Sequence, residues 1–236
     1  VTEGAQISRK QADMLGKALR HEELTEDLLT RLNLYRDQVV HATSDAVDTL
    51  RLLTGYAITP REGKSTLSVI AKLRRQTTSL SQVQDLVGCR IIVDTIIEQE
   101  SLRLRVAGRF PDAKIVDRRM QPSHGYRAVH FILPWQGRSY EVQIRTRLQH
   151  AWAQTVERLS DSKVKGLKYG FGPPSLTALI ASLSAHIAEI ESFELKMFES
   201  RGELADQAGP VASTVEQWRT ELISSFETLL ELEWST

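Results

Sequence analysis

The sequence predicts an α+β fold: a mixed β-sheet flanked by helices and extended by further helices at both ends of the 236-residue chain. Three observations predict it. Strand-like and helix-like stretches interleave through the middle of the chain. Two of the strand-like stretches, 126–133 and 140–146, are separated only by a short turn marked by Pro134 and Gly137, which makes them a hairpin and therefore an antiparallel pair. Residues 1–54 and 171–236 carry apolar residues at mixed spacings of three and four, the pattern of packing helices. The implied organisation is N-terminal helices over 1–54, a central domain over 55–170 and C-terminal helices over 171–236.

Taken in order, 11–24 and 28–53 read as helices, with Thr25, Glu26 and Asp27 as the start signal of the second. His21 and His41 fall at surface or cap positions. A short strand at 56–58 ends before Pro60, and a helix starts at Ser65 or Thr66. The segment 85–94 reads as a strand preceded by an acid, Asp85; its unbroken apolar run suggests burial on both faces. A helix over 95–110, an edge strand over 114–117 and a loop over 118–124 lead into the hairpin. In its second strand Tyr140, Val142 and Ile144 alternate with Glu141, Gln143 and Arg145, so the apolar and polar sets take opposite faces. The stretch 147–161 is helical, with Trp152, Val156 and Leu159 at core spacing. A glycine-rich break ends at Pro174. Two long amphipathic helices follow, 175–203 and 213–234, separated by a polar turn around Gly209 and Pro210; their expected role is packing or self-association.

Composition is that of an ordinary globular protein. Nothing resembles a signal peptide, and no apolar run approaches the roughly 18 residues of a membrane span, so a soluble, cytoplasmic protein with no membrane partner is expected. The single cysteine, Cys89, rules out a disulfide within the chain and reads as a small buried hydrophobe. The net charge of zero conceals an imbalance: residues 55–150 hold 16 Lys and Arg against 8 Asp and Glu. That segment favours polyanions, and nucleotide phosphates and nucleic acid both satisfy it.

Gly63, Lys64 and Ser65 imitate the end of a phosphate-binding P-loop, but the first glycine of that motif would stand at position 58, which is Ile58. What remains is a helix start, where unpaired N–H groups and the helix dipole suit an anion. Lys64, Ser68 and Lys72 recur every four residues along one stripe of that helix, leaving Leu67, Ile70 and Leu73 for the buried side.

The ordered set KSTLSVIAKLRR, DLVGCRI, HGYRAVH and YEVQIRTRLQHAWA resembles the synthetase domain of the RelA/SpoT family, of the small alarmone synthetase type, over roughly residues 56–169. The resemblance implies a nucleotidyltransferase-like fold and transfer of pyrophosphate from ATP to the ribose 3′-hydroxyl of GDP or GTP. Residue by residue, it makes Asp85 a Mg2+-binding acid and Glu141 a second acid that also serves as base. Lys64, Ser68 and Lys72 match an ATP-phosphate helix and Arg90 an adenine-stacking position, with Arg61 and Arg74 adding to a basic wall to which Arg118 and His124 are further candidates. Tyr126 matches the aromatic that stacks on guanine, and His130, Gln143 and Arg145 match acceptor positions. There are departures. Position 62, where the family usually has an arginine, is Glu62, with Arg61 beside it, and His124 stands where many members have asparagine. No His-Asp dipeptide occurs, so the hydrolase of the long bifunctional members is not expected.

Two other functions fit the same residues. A toxin-type relative would use an adenine nucleotide or the 3′ end of tRNA as acceptor. A module without catalysis would use the basic middle segment to bind nucleic acid or a partner, but it has no need of Asp85 and Glu141.

Overall fold

The computed structural model describes residues 6–61, 65–84, 86–200 and 208–231, the side chains of 208–211 excepted. Eight helices and five strands are found among them: α1 Arg9–His21, α2 Glu26–Ala42, α3 Ala46–Thr54, β1 Ile58–Arg61, α4 Thr66–Arg75, β2 Gly88–Val93, α5 Ile96–Arg109, β3 Lys114–Asp117, β4 Val129–Trp135, β5 Arg138–Thr146, α6 Arg147–Ser162, α7 Pro174–Glu199 and α8 Ala208–Glu231. The strands form one mixed sheet in the order β1-β2-β5-β4-β3, the α+β architecture read from the sequence.

Several boundaries differ from expectation for local reasons. The helix expected over 28–53 is two helices, α2 and α3, broken at 43–45 without glycine or proline. There the Thr43 hydroxyl donates back to the Val39 carbonyl (2.9 Å), satisfying backbone that the helix no longer pairs. Strand β1 runs through Pro60 to Arg61, pairing antiparallel with β2 in the register Ile58↔Ile91 to Arg61↔Gly88. Because β1 is an edge strand, the missing Pro60 N–H is tolerated. The hairpin turn is Gln136–Gly137, both residues at positive φ (45° and 73°), the geometry whose twist matches that of the flanking strands. Helix α8 starts at Ala208, so Gly209 and Pro210 lie in its first turn, where proline's absent N–H has no helical partner to lose.

The chain folds into two compact units, Val1–Ile91 with Ala107–Ile115 and Phe131–Gln143, and Ile92–Val106 with Val116–His130 and Ile144–Thr236. In the first, α1 packs on α2 and α4. Ser8 closes a capping box with Gln11 at the start of α1, and Thr25 caps α2. Val69, Ile70 and Leu73 of α4 are buried, whereas Leu67, expected on that side, is 69% exposed. Arg20 locks the end of α4 by donating to the carbonyls of Leu73 (2.7 Å) and Thr78 (2.6 Å). Cys89 is fully buried, and burial pushes its thiol up to about 12, which removes it from nucleophilic chemistry.

The second unit is built on α6, α7 and α8, whose apolar faces meet around Trp152, Val156, Leu159, Ile180, Ile187 and Phe226. By length and composition, α7 is the one described helix that could cross a membrane. That revises the expectation that no stretch reaches such a length. Its apolar residues Leu176, Ile180 and Ile187 are buried in this core, and 28% of its most apolar 18-residue stretch is buried. The same inward face carries Ser184, Glu191 and Glu194, all buried.

Candidate active site

In the first unit the site is built around Glu141. Strand β5 carries it, and its backbone N–H donates to the Val87 carbonyl (3.3 Å) just ahead of β2. Gly88 makes that approach possible: a Cβ there would lie 2.3 Å from the Glu141 carbonyl oxygen. Glu141 is 7% exposed, and one of its carboxylate oxygens accepts both from the Arg61 guanidinium (2.5 Å) and from the Gln143 side-chain amide (2.9 Å). A carboxylate removed from water needs such partners. Gln143, two residues along β5, is itself buried.

Helix α4 of the same unit is capped by Ser65, whose hydroxyl accepts from the Ser68 N–H (3.3 Å) and donates to the Ser68 hydroxyl (2.9 Å). Ser68 is exposed, one turn before half-buried Lys72. Lys72 lies on the wall of a polar cleft of about 1090 Å³ that also presents Arg9, Lys114 and Arg138, with Asp112 the one acid among the described residues of its wall. Arg74 points elsewhere. Its guanidinium donates to the carbonyls of Leu19 (3.2 Å) and Glu22 (3.4 Å), fastening α4 to the end of α1. Arg90 sits on β2 opposite Thr59 of β1 and is half-buried. Lys64 and Asp85 lie outside the described residues. No three His, Cys, Asp or Glu side chains among the described residues converge where they would hold a metal ion.

In the second unit three predicted residues meet. The Tyr126 hydroxyl bonds to His130 Nε2 (2.9 Å) and accepts from Arg145 (2.9 Å), whose guanidinium carbon also lies 5.0 Å from the Tyr126 ring centroid. Arg145 is among the largest fully buried side chains of the chain, and the ring and hydroxyl of Tyr126 give that buried cation part of its compensation. The phenol is thus held from two sides while the residue stays half-buried.

The backbone before Tyr126 is tightly determined. Gly125 has φ 88°, and a Cβ on it would lie 2.6 Å from the Trp152 ring of α6. His124 takes φ 52°, a left-handed conformation uncommon for residues other than glycine and asparagine. Its ring packs against Gly170 of the KYG run. Within the loop before it, Arg119 pairs with Asp117 (2.5 Å) and Glu100 (2.9 Å), while Arg118 enters through its N–H, which donates to the Ala128 carbonyl (2.9 Å).

The sequence reading gives no role to the residues that fix these two clusters. Gly88 stood inside the DLVGCRI motif without an assigned role; only the strand pairing reveals how near Glu141 comes. Ser184 and Glu191 are polar residues on the inward stripe of an amphipathic helix, and that misplacement was the available signal.

Fold and site together define an α+β domain whose hairpin strand carries a buried carboxylate and a buried guanidinium. Residues 61–161 match the family model described as a region found in RelA / SpoT proteins. An uncharacterized protein of Mycobacterium tuberculosis is 40% identical over 119 residues, 49% of this chain and 44% of that protein. A probable chloroplastic GTP diphosphokinase of Oryza sativa subsp. japonica is 30% identical over 146 residues, 57% of this chain and 19% of that protein. The chain thus spans less than half the length of these curated relatives. Among solved structures, small alarmone synthetase 1 from Bacillus subtilis bound to its product pppGpp matches with TM-score 0.57 and 20% identity over 76% of this chain and all of that one. Small alarmone synthetase 2 from the same organism matches with TM-score 0.51 and 24% identity over the same shares. These likenesses establish the shared fold.

Proposed function

We propose that this chain is a (p)ppGpp synthetase that transfers the pyrophosphoryl group of ATP to the ribose 3′-hydroxyl of GDP or GTP. The observation that carries the reading is Glu141, a buried carboxylate held by Arg61 and Gln143 within the segment that matches the RelA/SpoT family model. The names of the rice relative and of the Bacillus synthetases, one of them bound to pppGpp, support it.

In the proposed step the 3′-oxygen forms a bond to the β-phosphorus of ATP, the bridge to the α-phosphate breaks, and AMP leaves with the electron pair. The hydroxyl proton passes to Glu141 acting as general base. Lys64, Ser68 and Lys72, with Arg61, would bind donor phosphates, and Arg90 would stack on adenine. Tyr126 offers its ring to the acceptor base, held in place by His130 and Arg145. Gln143 holds Glu141 in position. Arg74, engaged with α1 carbonyls, has a positioning role for α4 instead of a direct one. A Mg2+ ion would be held by Asp85 with Glu141 and would offset charge on the phosphate oxygens.

The test is incubation of purified protein with Mg2+, labelled ATP and, separately, GDP, GTP, ADP or bulk tRNA, with products resolved by chromatography. Transfer to GDP or GTP is the expected result. Transfer confined to ADP, ATP or tRNA would replace it with the toxin-type reading, and no transfer to any acceptor by a folded protein would point to a binding module.

A further inference from the structure

Helix α7 lies outside the segment that matches the RelA/SpoT family model, and its length and amphipathicity suggest packing alone. Its inward face says otherwise. Ser184 and Glu191 are seven residues apart, two helical turns, and so share one face. Both are more than nine-tenths buried, and each makes short hydrogen bonds to backbone or side chains next to a residue of the Tyr126 cluster.

Ser184 reaches the near side. Its hydroxyl donates to the carbonyl of Gly125 (2.6 Å), the residue before Tyr126. The guanidinium of Arg127, the residue after Tyr126, donates to the hydroxyl (3.1 Å) and carbonyl (3.2 Å) of the same Ser184, and also to the carbonyl of Arg119 in the preceding loop. One serine therefore holds both chain neighbours of the tyrosine.

Glu191 reaches the far side. It accepts from the hydroxyl of Thr146 (2.6 Å), the residue after Arg145, and from the side-chain amide of Gln149 (2.9 and 3.0 Å). Thr146 and Gln149 form the capping box that starts α6 at the end of β5. Gln99 of α5 closes the network by donating to Gln149 (2.8 Å) and to the Ile144 carbonyl (2.8 Å), the residue before Arg145. All four side chains are buried, so each bond is made without competition from water.

We infer that Ser184 and Glu191 are positioning residues of the acceptor subsite: α7 clamps the 125–127 segment and the 144–146 segment so that the Tyr126 hydroxyl meets the buried Arg145 guanidinium. The inference rests on the reading of Tyr126 and Arg145 as acceptor-binding groups. It makes α7 part of the site for a purine nucleoside polyphosphate, not a support added to a finished domain.

Kinetics of wild type, Ser184→Ala, Glu191→Leu, Glu191→Gln and Tyr126→Ala test it, each with a thermal melt and hydrogen exchange over 119–130 and 141–150. Ser184→Ala and Glu191→Leu are expected to raise the acceptor KM by roughly 10-fold, about the effect of one lost buried hydrogen bond, with the ATP KM unchanged. Glu191→Gln keeps an acceptor for Thr146 and is expected to restore the wild-type value, which also covers the case in which the leucine variant does not fold. Ser184→Ala combined with Tyr126→Ala is expected to add nothing to Tyr126→Ala alone. Equal rises in both KM values, or additive effects with Tyr126→Ala, would reduce Ser184 and Glu191 to general packing and overturn the inference. If wild type transfers to no guanosine nucleotide, the functional reading fails by itself. The clamp is then decided by exchange: faster exchange at 119–130 in Ser184→Ala and at 141–150 in Glu191→Leu supports it, and wild-type protection in both refutes it.

Discussion

Replacing Gly88 with alanine tests the placement of Glu141 more sharply than removing its side chain. The added methyl would lie 2.3 Å from the Glu141 carbonyl oxygen and 3.1 Å from its Cβ. Carbon and oxygen in contact stand well over 3 Å apart, so the overlap is close to 1 Å, and its main partner is backbone, which cannot swing aside. Strands β2 and β5 must part at the residue that carries the carboxylate. Overpacking of this kind costs about 1–3 kcal/mol. For a chain of this size that is about 2–4 °C in unfolding midpoint per kcal/mol. A displacement of about 1 Å at a catalytic group is enough to lower turnover on the order of 100-fold. Gly108→Ala is the matched control: nothing lies within 4 Å of a Cβ there, the residue is within α5, and helix propensity favours the change by up to about 1 kcal/mol. Thermal melts with turnover at saturating substrates read both effects. A Gly88→Ala protein that melts and turns over like wild type would refute the close approach of β2 to Glu141.

Further predictions follow from the same side chains. Glu141→Gln is expected to lower turnover by roughly 10²- to 10⁴-fold with an unchanged melt, the loss of a general base. Arg61→Ala removes the 2.5 Å ion pair to the buried Glu141 and is expected to destabilise by about 1–3 kcal/mol in denaturant unfolding. Tyr126→Phe keeps the ring but removes the hydroxyl to which the buried Arg145 donates, so the variant is expected to unfold more easily than wild type while retaining more acceptor affinity than Tyr126→Ala. Burial raises Glu191 from its ordinary 4.5 to about 7, only partly opposed by Thr146 and Gln149, with Glu194 adding to the rise and Arg127 opposing it. Between those values the folded chain keeps a proton that the unfolded chain releases, so this contribution to stability is present below pH 4.5 and is lost as pH rises through about 7. Wild type is therefore expected to lose on the order of 2–3 kcal/mol more than Glu191→Gln between pH 4.5 and pH 8 in urea unfolding; identical pH dependence in the two proteins would contradict the assignment.

What was legible in the sequence followed from period and punctuation. The alternation of Tyr140, Val142 and Ile144 with Glu141, Gln143 and Arg145 set the hairpin, and both hydrogen-bonded clusters draw on its polar members. Where punctuation misled, the tertiary setting decided. Pro60 reads as a strand end but sits on a sheet edge, and Gly209 and Pro210 read as a turn but open a helix. The α2–α3 break carries no glycine or proline and left no signal. Arg74 reads as one more cation in a basic wall, because sequence cannot show that the carbonyls at the end of α1 lie within its reach. The polar network of Gln99, Thr146, Gln149 and Glu191 was the least legible feature: each residue alone looks like surface, and only their mutual hydrogen bonds make them interior.

The most direct measurement is the fate of the label when the protein is given Mg2+, GDP and ATP labelled on its γ-phosphate. Transfer of an intact pyrophosphoryl group predicts one AMP for each labelled guanosine product, with the label carried on the 3′ side. Labelled inorganic phosphate with ADP as the co-product, or label recovered only in unreacted ATP, would contradict the account.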